Sequence, residues 1–480
     1  MNKSITIDIV NTIYFYSLCL YAFFLPTFNN LTTPITLLLL ILTLIDYKSV
    51  KEFWSIEKTN LIVIGLPILF LLSVLSLLYT TNSEKGMLLV FRYLPLLLFP
   101  FILFKVAYFS DKHINYVLKF FIYGCLLSVC YSYLYVLYEA FEGSYKLVHK
   151  PEDYLRFFLN RLTYHDLVSK IMVNHSIYFS AYILLAITVL RSKSDLFSKR
   201  ISNLVTTLFF ITLTLLTPVI IALAGFIIFT LIFVLQNNQN KTLANRYHLF
   251  KINIFWSFLL FYLFIWKIQP HKEFIYIFNN LLYNLIILGG ALGTVLFGQI
   301  AYSLLNYKRI KWVIISMFIL LGIFIVLLSV LPISLDVSKV SNYTARLVNN
   351  YASITVIKNN FFFGVGIGDI QESLIEIYRN IRFRKLQYNE HNQYLRFWLG
   401  SGFLSALIFI IWILKIFLKS LITKNAIAIS ISFTLLIFCF TESVLARQIG
   451  LSFFMFFMFF TYYMSRTKKR KSELGYNRTL

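Results

Sequence analysis

Asn60–Tyr79 reads NLIVIGLPILFLLSVLSLLY, twenty residues without a charge. Wound as a helix at about 1.5 Å per residue, such a run covers roughly 30 Å, the hydrocarbon thickness of a bilayer. It does not break or alternate at strand length, which excludes the strands of an outer-membrane barrel. Comparable apolar segments fall near 11–27, 31–46, 87–109, 115–138, 174–190, 202–217, 219–235, 252–267, 281–305, 312–334, 397–418, 425–441 and 449–464. The 480-residue chain is 59% hydrophobic and 13% charged, with a mean hydropathy of +0.75; soluble domains carry about a quarter charged residues. These features predict an all-α, polytopic integral membrane protein, a single domain over 1–480, with about 12–14 transmembrane helices. The division at Thr217-Pro218 and the helix from 281 are the weakest of the segment boundaries.

A net charge of +24 points first to nucleic acid, but its distribution points elsewhere. Lys48, Lys51 and Lys58 share one short loop, Arg191, Lys193, Lys199 and Arg200 another, and Lys308, Arg309 and Lys311 a third. A basic tail over 465–480 follows the last apolar segment and holds Lys468, Lys469, Arg470 and Lys471. Basic clusters in alternate loops follow the positive-inside bias, so these four are expected on the cytoplasmic side and no nucleic acid is implied. Two longer polar loops, 139–173 and 335–396, then face outward together. The first apolar segment is expected to be an uncleaved helix. Cys19, Cys125, Cys130 and Cys439 lie within predicted spans and form no CxxC pair, so neither a disulfide framework nor a zinc site is suggested.

The second polar loop gathers Arg346, Arg379, Arg382, Arg384, Glu390 and His391 beside Gly364-Val365-Gly366-Ile367-Gly368. Titratable groups collected next to a membrane interior mark a candidate polar site; a solvated connection between two helices is the plain alternative. His391, close to the start of the next apolar segment, can take a proton from a hydroxyl. Asn392 and Tyr394 follow it, and Asn392 suits either a substrate contact or a helix cap. Arg346 stands alone among Tyr343, Leu347 and Val348, and its planar fork suits phosphate oxygens. The series Arg379 to Lys385 reads better as a solvated basic face.

Gly364, Gly366 and Gly368 resemble a phosphate-cradling loop only superficially, because no strand precedes them. A tight turn or close backbone packing fits them better, and Asp369 after them suits a helix cap or a basic partner. The turn between the last two apolar segments holds Glu442 and Arg447, which counting of spans places on the same membrane face as His391. Arg92, between Phe91 and Tyr93, lies inside an apolar segment, where an arginine faces a cavity or a partner. His175, with Asn174 and Tyr178, falls near the same face and reads as a site residue or as a hydrogen-bonded structural one.

The pattern Arg346…Gly364-Val365-Gly366-Ile367-Gly368-Asp369…His391-Asn392-Gln393-Tyr394-Leu395…Gly402 resembles the signature region of the O-antigen ligase family, whose superfamily includes polysaccharide polymerases. The family pattern of His, then Asn, Ser or Gln, then nine residues and Gly is met by His391, Asn392 and Gly402. The match is concentrated in 340–405, with weaker similarity at His175-Ser176-Ile177-Tyr178 and at Glu442-Ser443…Arg447-Gln448-Ile449-Gly450. Two positions depart from the family. Ser405 stands where a second glycine is common, and Thr217-Pro218 stands where a Ser-Arg pair is common.

The resemblance implies a bacterial inner-membrane glycosyltransferase with its active face in the periplasm. The donor would be a glycan on undecaprenyl pyrophosphate and the acceptor a hydroxyl of lipid A core or of another glycan. Arg346 would bind pyrophosphate and His391 would help activate the acceptor, with inversion at the anomeric carbon. His175, Asn392, Tyr394, Glu442, Arg447, Gly364, Gly366, Gly368 and Asp369 would line the substrate, and Arg92 joins them on its own ground as an arginine inside an apolar segment. No cofactor or metal is implied, since pyrophosphate leaves readily as a stabilised anion. A repeat-unit polymerase, a protein O-oligosaccharyltransferase and a lipid-linked glycan flippase remain alternatives. A flippase is expected to show an inverted repeat and broken charged helices at mid-membrane.

Overall fold

The computed structural model describes residues 3–57, 59–147, 176–193, 195–216, 342–381 and 389–474. Among them every regular element is a helix: α1 (Lys3–Phe24), α2 (Thr32–Ile45), α3 (Tyr47–Glu57), α4 (Leu61–Leu75), α5 (Ser83–Arg92), α6 (Leu94–Ile102), α7 (Asp111–Leu147), α8 (Ser176–Ser192), α9 (Lys199–Leu216), α10 (Asn342–Asn359), α11 (Ile370–Asn380), α12 (Gln393–Ile422), α13 (Ala426–Phe438) and α14 (Gln448–Leu474), with 3₁₀ turns at Asn29–Leu31, Ser76–Leu78, Leu103–Tyr108 and Val444–Ala446. Five of these helical stretches are long and apolar enough to cross a membrane, or six if the pair bent by 92° at α2 and α3 is one span. α1, α8 and α13 contribute shorter apolar helices. The predicted segments 219–235, 252–267, 281–305 and 312–334, and the 148–173 part of the first long loop, lie outside the described residues.

Asparagine starts four of these helices. Asn60, Asn82, Asn392 and Asn425 each accept a backbone N–H of the first turn, satisfying a donor that has no partner inside the helix. The bundle is built around α14. Of 18 consecutive residues within its membrane-length stretch Gln448–Arg466, 83% are buried, against 44–56% in the equivalent windows of the other four long stretches. Its Phe453, Phe454, Phe456, Phe457, Phe459 and Phe460 therefore form the centre of the core rather than a lipid-facing stripe. α12 packs on α4, where the Trp412 indole donates to the Ile62 carbonyl at 2.8 Å. α1 packs on α7.

Three polar stretches read from the sequence as loops are helical. The 335–396 stretch contains α10 and α11, because its sparse apolar residues recur at helical spacing. Val348, Ala352 and Val356 are buried on α10, and Ile370, Leu374 and Tyr378 on α11. A search for apolar runs passes over such amphipathic helices. α7 continues from the expected end at 138 to Leu147, into the first predicted loop. The basic segment after the second apolar run forms α3, held by the buried Glu57, which pairs with Arg466 of α14. Beside it Lys105 meets Asp46 at 2.9 Å. The basic tail expected from 465 continues α14 to Leu474.

Gly402 breaks α12. It takes φ +81°, in the left-handed region, and an added Cβ would meet the Phe362 carbonyl. Gly402→Ala is expected to lower the thermal midpoint, since at φ +81° and ψ −177° the backbone conformation alone costs an alanine about 1–3 kcal/mol. Circular dichroism melting in detergent checks this, and an unchanged midpoint would show that the kink relaxes freely.

Candidate active site at one end of the bundle

Glu390 begins the site. It is fully buried just before α12. Its Oε1 accepts from Arg396 Nη1 at 2.8 Å and from the Ser443 hydroxyl at 2.6 Å. Arg396 Nε donates to the Tyr93 hydroxyl at 3.1 Å. Burial pushes the Glu390 carboxyl up, but the Arg396 charge and the two donors outweigh it and hold the group below the usual carboxylate range. This network ties three elements together: the approach to α12, the first residues after α5, and the turn between α13 and α14. Gln393 adds two more ties, from its N–H to the Cys439 carbonyl and from the Leu445 N–H to its Oε1, both at 2.8 Å.

His391 stands between the buried Glu390 and the capping Asn392. Asn392 Oδ1 accepts from Tyr394 N and Leu395 N at 3.0 and 3.1 Å. With both neighbours held, His391 takes φ +46°, a left-handed conformation rare for a residue with a side chain. Its Nδ1 lies 2.9 Å from Glu442 Oε2, and both side chains are partly exposed. Imidazole and carboxylate in this arrangement make an oriented base.

Two arginines converge on the same turn. Arg92 Nη1 donates to the Ala446 carbonyl at 2.9 Å, and Arg447 follows Ala446 in the chain. Both are exposed, and among the described residues neither has a carboxylate within ion-pair distance. Since Glu390 and Arg396 neutralise each other, the excess charge of the turn is positive. The Tyr178 hydroxyl reaches the Val444 carbonyl at 3.4 Å, so the start of α8 closes the same end of the bundle.

The structure thus brings together His391, Asn392, Glu442, Arg92 and Arg447. It places others elsewhere. Gly364 and Gly368 pack against backbone, and Gly366 packs against Thr80. Added Cβ atoms would meet the Leu399 carbonyl, Thr80 and the Asn82 carbonyl respectively. Asp369 accepts from Thr81 N at 2.6 Å and Asn82 N at 2.8 Å, which caps the start of α5 from another element. Burial raises its pKa, but these N–H groups and the Thr81 hydroxyl hold it below the usual range. Tyr394 packs on Phe409 and Phe440 and donates to the Leu436 carbonyl at 3.0 Å. Arg346 belongs to α10, but its side chain lies outside the described residues, as do His175, Arg382, Arg384 and Lys385.

Sequence reasoning did not single out Arg396, Tyr93 or Ser443, and it weighed Glu390 beside Glu442 and His391 as the group that receives the acceptor proton, a role for which the buried pair with Arg396 leaves Glu390 no free access. The available signal was an arginine six positions after a glutamate, inside the first turn of an apolar helix. Among the described residues no group of three His, Cys, Asp or Glu is arranged to hold a metal ion. No protein-family model matches the chain, and no match to a characterised protein is found either.

Proposed function

We propose that this chain is a glycosyltransferase of the bacterial cytoplasmic membrane, with the His391 end of the bundle facing the periplasm. It moves a glycan from a polyprenyl pyrophosphate to an acceptor hydroxyl, by the chemistry of O-antigen ligases. The observation that carries this reading is the pairing of His391 with Glu442 on a turn that Arg92 bonds at the Ala446 carbonyl and that ends in Arg447. Base and cations lie at one end, as an acceptor and an anionic leaving group require. The placement of α3 and of the basic ends of α8, α9 and α14 at the opposite end of the bundle supports the sidedness.

In this reading a neutral imidazole donates Nδ1–H to Glu442, and Nε2 takes the proton of the acceptor hydroxyl. The acceptor oxygen bonds to the anomeric carbon as the bond from that carbon to the phosphate oxygen breaks. The electron pair leaves with pyrophosphate, whose charge is met by Arg92 and Arg447. Attack opposite the leaving group inverts the anomeric centre.

Purified protein in proteoliposomes, given a lipid-linked glycan and lipid A core without added nucleotide, is expected to yield glycosylated lipid A core. Lengthening of the donor glycan instead would assign a polymerase, and transfer to protein an oligosaccharyltransferase. Donor movement across the vesicle with no covalent product would replace the transferase reading by a flippase. Arg92→Ala and Arg447→Ala are each expected to raise the KM for the donor more than they lower kcat, by about tenfold or more for loss of a charge-assisted contact. Unchanged donor KM in both variants would move the leaving-group site elsewhere.

A further inference from the structure

Between α10 and α11, Asn359–Gly368 contains no charged residue and includes Phe361-Phe362-Phe363. Phe362 and Phe363 are 71% and 75% exposed. Two adjacent phenylalanines so exposed are unusual in a water-facing loop.

The backbone of this turn is bonded into the kink of α12. The Phe403 N–H donates to the Phe361 carbonyl at 3.2 Å, and the Trp398 indole donates to the same oxygen at 2.9 Å. The Val365 N–H donates to the Leu399 carbonyl at 2.7 Å. The Tyr79 hydroxyl, just past the membrane-length stretch Leu61–Leu78, donates to the Phe363 carbonyl at 2.6 Å. The Asn360 carbonyl accepts from Gly364 N at 2.9 Å. Irregular backbone at membrane depth is tolerated only where protein satisfies its polar groups, and the carbonyls of Asn360, Phe361 and Phe363 all meet that condition.

Helix lengths give the depth. Arg447 and Arg466 bound the apolar part of α14 and lie about 28 Å apart along it, close to one hydrocarbon thickness. Arg396 belongs to the same network end as Arg447, and Gly402 lies roughly 9 Å further along α12 from Arg396. The phenylalanine turn touches α12 between Trp398 and Phe403, inside that plane. Its outer neighbours there, Phe403 and Leu404, are exposed residues of the apolar stretch Gln393–Ile422.

We propose that Asn360–Gly364 is a re-entrant anchor, with Phe362 and Phe363 seated among lipid acyl chains of the leaflet at the His391 end. The occupant of this surface is the bilayer, because the turn continues the lipid-facing side of α12. Phe361 stacks on Phe403 at 5.3 Å and meets Trp398 edge-on at 5.1 Å, forming an aromatic cluster of the kind that sits at membrane interfaces. The anchor holds Gly364–Asp369, and through Asp369 the start of α5, at a set depth below the polar end.

Spin labels in proteoliposomes of phosphatidylethanolamine and phosphatidylglycerol test this. Phe362→Cys and Phe363→Cys are made separately in the full chain carrying Cys130→Ser, since Cys19, Cys125 and Cys439 are buried. Leu404→Cys serves as the lipid reference and Glu376→Cys, exposed on α11, as the aqueous one. Both turn positions are expected to match Leu404, with collision rates higher for oxygen than for a water-soluble nickel complex. Accessibility to nickel like that of Glu376 would overturn the proposal. So would protection from both reagents, which would mean that protein covers the turn. The result is independent of the transferase reading.

Discussion

Alanine at His391 is expected to lower the rate of glycan transfer by roughly 10²- to 10⁴-fold, the usual contribution of a positioned general base. Insertion and thermal stability should be retained. The side chain is only partly buried, and the buried ties of this segment run through Glu390, Asn392 and Gln393 instead. Glu442→Gln separates orientation from charge. The amide still offers an oxygen to Nδ1–H, 2.9 Å away in the native pair, but no longer stabilises the imidazolium that forms as the acceptor loses its proton. Its rate should fall between wild type and His391→Ala, with the donor KM little changed. Arg92→Ala shows the opposite pattern, because it acts on donor binding. Single-turnover transfer of labelled glycan reads both quantities, and a His391→Ala rate within a factor of about three of wild type would exclude a base role.

Part of this site is legible in the chain itself. An inward helix after His391 and an outward one before Glu442 put the two residues at one membrane face, by counting alone. The contact between them is not legible, because it joins positions 51 apart through a turn whose shape depends on Val444–Ala446 and Gln393. Asn392 as a cap is readable, since asparagine before an apolar helix satisfies its first N–H groups. The burial of α14 is not: an isolated phenylalanine-rich helix looks the same whether lipid or protein surrounds it, and only packing decides. α10 and α11 were hidden for a different reason. Their buried residues are few and spaced four apart among polar residues, so mean hydropathy hides them. Gly364, Gly366 and Gly368 look like a ligand loop in sequence. In the structure they are where this turn packs closely on other segments, a distinction that depends on Thr80, Asn82 and Leu399 from elsewhere in the chain.

Glu390→Gln is expected to destabilise the protein by about 3–5 kcal/mol, the cost of leaving one partner of a buried ion pair uncompensated. Arg396 is nearly as buried as Glu390, and without the carboxylate its charge is left with the Tyr93 hydroxyl. Arg396→Met should cost a similar amount, because it leaves the carboxylate buried instead. The double variant should recover much of either loss, since two neutral groups need no partner charge. Additive single losses would instead mean that the two residues act separately. The pH dependence has a definite sign. The folded-state pKa of Glu390 is below its ordinary value, so its contribution is fully present above the unfolded-state pKa, near 4.5, and is lost as pH falls through the lower folded-state value. Acid should therefore narrow the gap between wild type and Arg396→Met, whose lone carboxylate is relieved by protonation. Wild type should melt earlier in the same range. Because Glu390 precedes His391 directly, both single variants should also slow transfer even where they remain folded, and the double variant should restore stability further than it restores rate. That difference would identify the buried pair as the element that holds His391 in its left-handed conformation, beyond its contribution to the bundle.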